Sequence, residues 1–444
     1  MKFFKPFEAP VPPTFNDLTV DIRDFGAVEG GIEKVTDAIK KTIEYVNEKG
    51  GGRVVIPKGR WISGAIHLKD NVNLHLDDGA YVEFSKDFAD YLPAVYGILN
   101  GARLYSASHF LYALRCKNIA ITGSGTFDGN GDAWWYMKDI EGGLYDLTKS
   151  VKEGVPVEKR VYDKKEDGVR PRFLQFVECE NVLIEGVTFK NSPSWTVNPA
   201  WCKNIIVRDI KIINPLDAPN TDGINLDSCK RGLVERCEVS GGDDMVCLKA
   251  GKDEDAWEVG IPCEDIEVRD CHSKCSKGGL TIGSEMSASV RNAYIHDCSF
   301  GRISNGIRIK SMKGRRGVVE NIDYENLYLD IGVDHAISIT MKYNGEPLDD
   351  QSIPMENMPA IRNISVENLV CKNSNKGIFL EGIKGYEMEN FYFKNVEVTS
   401  ANPICIENVK NVNFEGLKLQ IGSEQEKFPR NRFRGKSPIN PKEV

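Results

Sequence analysis

One pattern recurs from the first third of the chain to its end: Asn, then apolar residues in the order N-h-x-h-x-x-h-x-h, where h is aliphatic, aromatic or Cys. It reads KNIAITGSGTF at Lys117 and ENVLIEGVTF at Glu180. Looser copies begin at Lys203, Lys230, Glu264, Arg291, Glu320, Arg362, Glu389 and Lys410. From Glu180 onward the starts lie between 21 and 42 residues apart. Periods of this size belong to solenoids and propellers. Within each unit apolar and polar residues alternate, which is strand spacing. A second short alternating run follows, as in Ile224/Leu226, Val246/Leu248, Leu280/Ile282, Ile307/Ile309 and Ile337/Ile339. Gly, Asn and Asp separate the runs, as turns require. No part of the unit has helical period, which disfavours leucine-rich repeats, and a propeller blade needs about 40 residues and four strands. The expected fold is therefore all-β: a single-stranded right-handed parallel β-helix whose coils stack at ~4.8 Å. The recurring Asn either ladders from coil to coil or tolerates a left-handed backbone.

A solenoid end exposes core and needs a cap. Ile39, Ile43 and Val46 fall on one helical face between Thr36 and Asn47, Thr36 can N-cap, and Gly50 to Gly52 end the helix before a first strand at Arg53. We expect one β-helix domain over residues 1–444, with a cap region at 1–60 and an extended C-terminal arm at 423–444. Two segments, Asp87 to Cys116 and Asp132 to Arg172, interrupt the repeat and are expected as loops beside a groove. Trp134-Trp135 reads equally as core or as a sugar-stacking platform.

The net charge of -8 argues against a general nucleic-acid binder. No stretch approaches the ~20 apolar residues of a membrane span. The start, MKFFKPFEAP, lacks the apolar run of a secretory signal, and 12 Cys without one suggest reduced thiols, so a cytoplasmic location is expected. Cys271-x3-Cys275 with His272 invites a zinc reading, but Cys237, Cys271 and Cys298 occupy matching apolar places in three coils, which favours stacked buried thiols. The basic cluster Lys313, Arg315 and Arg316 either steers a polyanion or is a solvated turn. The oligomeric state is left open.

Stacking brings residues one coil apart in sequence into contact. Asp222 lies one coil before Asp243 and Asp244, so three carboxyls share one patch. Adjacent strand residues face opposite sides, so both Asp243 and Asp244 reach one cleft only where the chain turns, and Gly241-Gly242 permits this. The next coil brings Lys277; the one after brings Arg308 and Lys310, outward by alternation with Ile307 and Ile309. Crowded carboxyls cannot all ionise freely. A raised carboxyl beside an ionised one is what glycosidic hydrolysis needs, and the cations suit an anionic sugar. The competing reading of the three Asp is a cation site or solvated turn residues.

In order, NTDGI, GGDD, GGLTIGSEM and GIRIK resemble the signature blocks of polygalacturonase-type hydrolases, glycoside hydrolase family 28. DFGA, GGGRVVIPKG, HLKDNVNLHLDDGA and ITGSGTFDGNGDAWW nearer the start fit as well, so the resemblance runs from about Asp21 to Gly422. It implies a parallel β-helix, an inverting mechanism, and neither metal nor cofactor. It implies Asp243 as general acid, Asp222 and Asp244 as the pair that positions and deprotonates water, and Arg308 and Lys310 as binders of the substrate carboxylate. Asn220 and Tyr343 support the site, Tyr343 only if its strand ends before it. The family's G-H-G block is here Lys277-Gly278-Gly279, so Gly278 stands in the place of the His. Lys277 then holds a neighbouring Asp ionised, binds a second substrate carboxylate, or is an unrelated surface lysine. The expected activity is exo-acting hydrolysis of galacturonic acid linkages in pectic oligosaccharides or polysaccharides. The alternatives are a rhamnogalacturonan-type hydrolase of the same family, a β-helix pectate lyase, and a non-catalytic carbohydrate-binding β-helix.

Overall fold

The computed structural model describes residues 1–343 and 355–422. Parallel strands stack in register along the repeat, so that each copy of the pattern lies on the next. Ile119 sits on Val182, then Ile205, Gly232, Ile266 and Ala293, and the column continues through Ile322, Ile364, Phe391 and Val412. A second face stacks Leu226, Leu248, Ile282, Ile309, Ile339 and Leu380. These inward positions form one continuous apolar core, and the alternation read from the sequence is the alternation of burial.

Both readings of the recurring Asn hold at once. Asn118, Asn181 and Asn204 all have positive φ, and each side-chain amide donates to the Asn one coil below, at 3.0, 2.9 and 2.9 Å, starting on Asn71. Asn363, Asn390 and Asn411 repeat the ladder from Asn321. The left-handed turn aims the amide along the solenoid axis, where it meets its neighbour.

The N-terminal end differs from expectation in three respects. The helix spans Thr36–Glu48 and buries Ala38, Ile39, Thr42, Ile43 and Val46, but its N-cap is Val35; the Thr36 hydroxyl instead accepts from the Gly64 N–H at 2.6 Å. The first strand is Thr19–Asp21, which pairs with Gly52–Ile56, so the stack begins before the helix. The first residues do not join the cap. The Phe3 and Phe4 N–H groups donate to Asp323, Lys5 to Asn292, and Phe15 packs beside Ala120, Leu183 and Ile206, so this segment runs along the outside of the coils.

The two interrupting segments are more ordered than loops. Within the first, Val95–Leu99 and Ala102–Ser106 form an antiparallel hairpin, and Leu111–Leu114 rejoins the stack between Ile66–His67 and Leu174–Val177. Within the second lies a helix, Gly143–Lys152, and Val161–Tyr162 extends the hairpin. Ala102, Leu104, Leu147, Val151, Tyr162 and Val169 give the two segments a shared core. Arg103 and Arg160 both clasp buried Asp255, at 3.0 and 2.8 Å, which ties this wall to the coils. Trp134 is buried in the main core, and the Trp135 indole donates to the Ser192 carbonyl at 2.9 Å. The pair is therefore packing, not a platform.

All 12 cysteines are free, and Cys237, Cys271 and Cys298 are buried in neighbouring coils, in keeping with stacked thiols. Arg315 is buried against Asp253 and the Ser284 carbonyl and is a structural tie, while Arg316 is exposed and lies over Trp257. The expected C-terminal arm, 423–444, lies outside the described residues.

Candidate active site

Asn220, Asp222, Asp243, Asp244, Lys277, Arg308, Lys310 and Tyr343 all line one cavity of about 1010 Å³. The strand register explains how. Asp222 precedes Ile224 by two residues, as Asp244 precedes Val246, and Ile224 pairs with Val246. Asp244 pairs in turn with Gly278, and Thr281 with Arg308. Asp244 opens the strand Asp244–Lys249, while Asp243 sits in the turn before it and accepts the Asp244 N–H at 3.1 Å. The turn does place both carboxyls in one cavity. Its glycines act through space, since neither has positive φ: a Cβ on Gly242 would lie 2.0 Å from the Ala218 carbonyl oxygen.

The three carboxyls are in different electrostatic settings. Burial, then the charge of Asp243, pushes Asp222 up to about 7. Burial and the neighbouring Asp244 raise Asp243, against the pull of Lys277 and Lys310. Burial opposes ionisation of Asp244 as well, yet Lys310 and Arg308 outweigh it and hold Asp244 well below the usual carboxylate range. The Lys310 ammonium donates to Asp244 Oδ2 at 2.9 Å. Asp244 is thus the most readily ionised of the three, while Asp243 holds its proton to higher pH than a free carboxyl does. Their accessibility differs in the same sense: the Asp243 side chain is 17% exposed and that of Asp244 3%. Asp243 is the more open to the cavity, and Asp244 lies in its floor.

Tyr343 follows the strand that ends at Thr340, which meets the condition its parity imposed. Arg308 and Lys310 lie 5.5 and 5.6 Å from its ring centre. Arg308 makes no ion pair among the described residues, which leaves it the freer cation; Lys310 is largely committed to Asp244. Lys277 approaches Asp243, at 3.7 Å, and not the ionised Asp244. Gly278 has a steric reason: a Cβ there would lie 1.8 Å from Asp244 Oδ1. The carboxylate of Asp244 fills the space that a side chain at 278 would enter.

Oxygen and sulfur atoms of Asp222, Asp244 and Cys247 lie within 4.8 Å of one another, close enough to hold a cation. The Lys310 ammonium already supplies a positive charge there. Among the cavity residues that sequence reasoning missed are Arg170, Arg172, Trp195 and Lys249. Arg170 donates to Asn220 Oδ1 at 2.7 Å and to the Pro193 and Pro219 carbonyls, which fixes Asn220. Lys249 is ion-paired with Glu285 at 2.9 Å. Lys249 follows Leu248 as Lys310 follows Ile309, and Leu248 and Ile309 both pair with Ile282, a signal of the same kind that located Arg308.

A coiled stack with a graded carboxyl cluster beside cations defines a site for cleaving acidic carbohydrate. Residues 155–419 match the family model for glycosyl hydrolases family 28. A protein of Vitis vinifera named "Probable polygalacturonase" is 29% identical over 84% of this chain and 73% of its own length. An exo-poly-alpha-D-galacturonosidase of Dickeya chrysanthemi is 24% identical over 92% of this chain and 72% of its own. The crystal structure of an exopolygalacturonase from Thermotoga maritima superposes with a TM-score of 0.87 at 34% identity, covering 93% of this chain and 94% of that one. The chain belongs to glycosyl hydrolases family 28.

Proposed function

We propose that this protein hydrolyses the glycosidic bonds of galacturonic acid in pectic oligosaccharides, with inversion and from the chain end. The observation that carries this reading is a cavity in which Lys310 contacts Asp244 and lowers its pKa, while the neighbouring Asp243 is raised and Arg308 lines the same space. Asp243 gives its proton to the leaving oxygen. Asp244, with Asp222, orients a water molecule and takes its proton as the bond breaks. Arg308, with Tyr343 beneath it, binds a substrate carboxylate, and Lys310 keeps Asp244 ionised. The wall built by the two inserted segments supports the exo mode, because Leu99, Leu144 and Tyr145 stand over the groove and line the cavity. Twelve unpaired cysteines support a reducing, cytoplasmic setting in which short oligosaccharides are the substrate.

Product analysis on oligogalacturonides tests the proposal. Free galacturonate is the expected first product; mixed oligomers without early monomer would overturn the exo mode. Unsaturated, ultraviolet-absorbing products abolished by a chelator would show a lyase instead. A second reading, hydrolysis of rhamnogalacturonan, rests on Gly278 standing where the family's block has His. Faster turnover of rhamnogalacturonan fragments than of oligogalacturonides would favour it.

A further inference from the structure

On the side of Asp222 away from Arg308, the same register carries a second set of cations. Leu174 pairs with Val197 and Val197 with Ile224, so Arg172, Trp195 and Asp222 occupy equivalent places, each two residues ahead of the paired aliphatic. Arg172 therefore lies two coil spacings, ~10 Å, from Asp222 along the axis. Its side chain is buried, 2% exposed, and lines the cavity. It donates to Ser194 Oγ at 3.1 Å and to Asn100 Oδ1 at 2.9 Å, while its Nε has no hydrogen-bond partner. The guanidinium lies 3.9 Å from the centre of the Trp195 ring, and the Lys249 ammonium 4.4 Å from the same centre. Neither Arg170 nor Arg172 makes an ion pair among the described residues. Burial, then the charge of Arg170, pulls Arg172 down to about 9. Asp222, Glu285 and Asp227 act on Arg172 through space, but none pairs with it directly, so a guanidinium buried beside a second one has no carboxylate in contact.

We propose that Arg172 and Lys249, held on Trp195, bind the carboxylate of the terminal sugar on the far side of the scissile bond from Arg308. This rests on the hydrolase reading above and deepens it. The cavity is as large as the upper range of small-molecule sites, ~300–1,000 Å³, so it has room for sugars on both sides of the carboxyls. Asn100 in the hairpin holds Arg172, so the inserted segment that lines the cavity also fixes the cation in its wall. A chain end bearing a uronate enters and is neutralised; a chain end bearing a neutral sugar leaves Arg172 desolvated without an anion.

The test is a comparison of two trigalacturonates on the full chain, one with all carboxylates free and one methyl-esterified on its non-reducing terminal sugar alone. The unaltered protein is expected to show kcat/KM lower for the ester by about tenfold or more. Equal values would overturn the proposal. No turnover of either substrate would instead overturn the hydrolase reading. Arg172→Gln is expected to slow the free acid by a similar factor while barely changing the ester, and Arg172→Lys to recover part of the loss. If Arg172→Gln slowed both substrates equally, or Arg172→Lys recovered nothing, Arg172 would be structural only and the proposal would fail.

Discussion

On one flank of the three carboxyls, Arg308 and Lys310 extend from a continuous strand, Val290–Lys310, in which Ile307 and Ile309 beside them are pinned in the core. On the other flank, Arg172 stands just ahead of a four-residue strand, Leu174–Val177, and is positioned by a hairpin asparagine and a neighbouring Ser hydroxyl. The first flank is a product of the repeat, and the second depends on departures from it. A solenoid supplies regular outward columns without further design, since stacking fixes each side chain's direction. Closing such a groove at one end requires segments that leave the stack and bring a core of their own. Here that core is small, with Leu147 and Val151 of the helix Gly143–Lys152 packed on Ala102 and Leu104 of the hairpin.

The largest expected effect lies between the flanks. Asp243→Asn removes the proton donor while keeping its shape, and should lower turnover by about 10²–10⁴-fold with the fold intact by circular dichroism. Retained turnover would mean that neither flank serves Asp243. On the regular flank, Lys310→Met takes away the partner of a nearly buried carboxylate. Asp244 then protonates at higher pH, so the acid limb of the rate profile should move upward, and stability should fall by about 3–5 kcal/mol, readable by denaturant titration. A variant with an unchanged acid limb would separate Asp244 from the reaction.

A stability measurement examines the floor. The pKa of Asp222 is raised from 3.8 to about 7, so folding is favoured while this carboxyl is protonated. That contribution is full below about 3.8 and is lost as pH rises towards and through about 7. Melting temperature should therefore decline across this window in the unaltered protein, and decline less in Asp222→Asn. The smallest effect is expected from Lys277, whose side chain is 41% exposed. Lys277→Ala removes a charge that lowers the pKa of Asp243, so the alkaline limb should move slightly upward with little change in the maximal rate.

The regular flank was legible in the sequence and the irregular one was not. Alternation about Ile307 and Ile309 places Arg308 and Lys310 outward without reference to any other segment. Arg172 follows a long insertion, so its coil cannot be counted from the preceding repeat, and nothing in Arg-x-Arg marks it as a neighbour of Trp195 and Asp222. Its position emerges only when the pairing of Leu174 with Val197 is known. The Thr36 cap failed, and Trp134-Trp135 stayed open between core and platform, for a related reason: a hydroxyl or an indole has several satisfactory partners, and tertiary packing chooses among them. Gly278 was visible as a departure, but its cause, the carboxylate of Asp244 only 1.8 Å from where a Cβ would stand, depends on a side-chain placement that sequence does not give.

The column from Arg172 through Trp195, Asp222 and Asp244 to Gly278 behaves as a ruler with fixed graduations. Distances along it change only in steps of one strand separation, ~4.8 Å, because a coil is either present or absent. Point substitutions can alter what is held at each mark. Only gain or loss of a whole coil, or a new insertion at the closed end, can change how many sugars fit between the end wall and the bond that is cut.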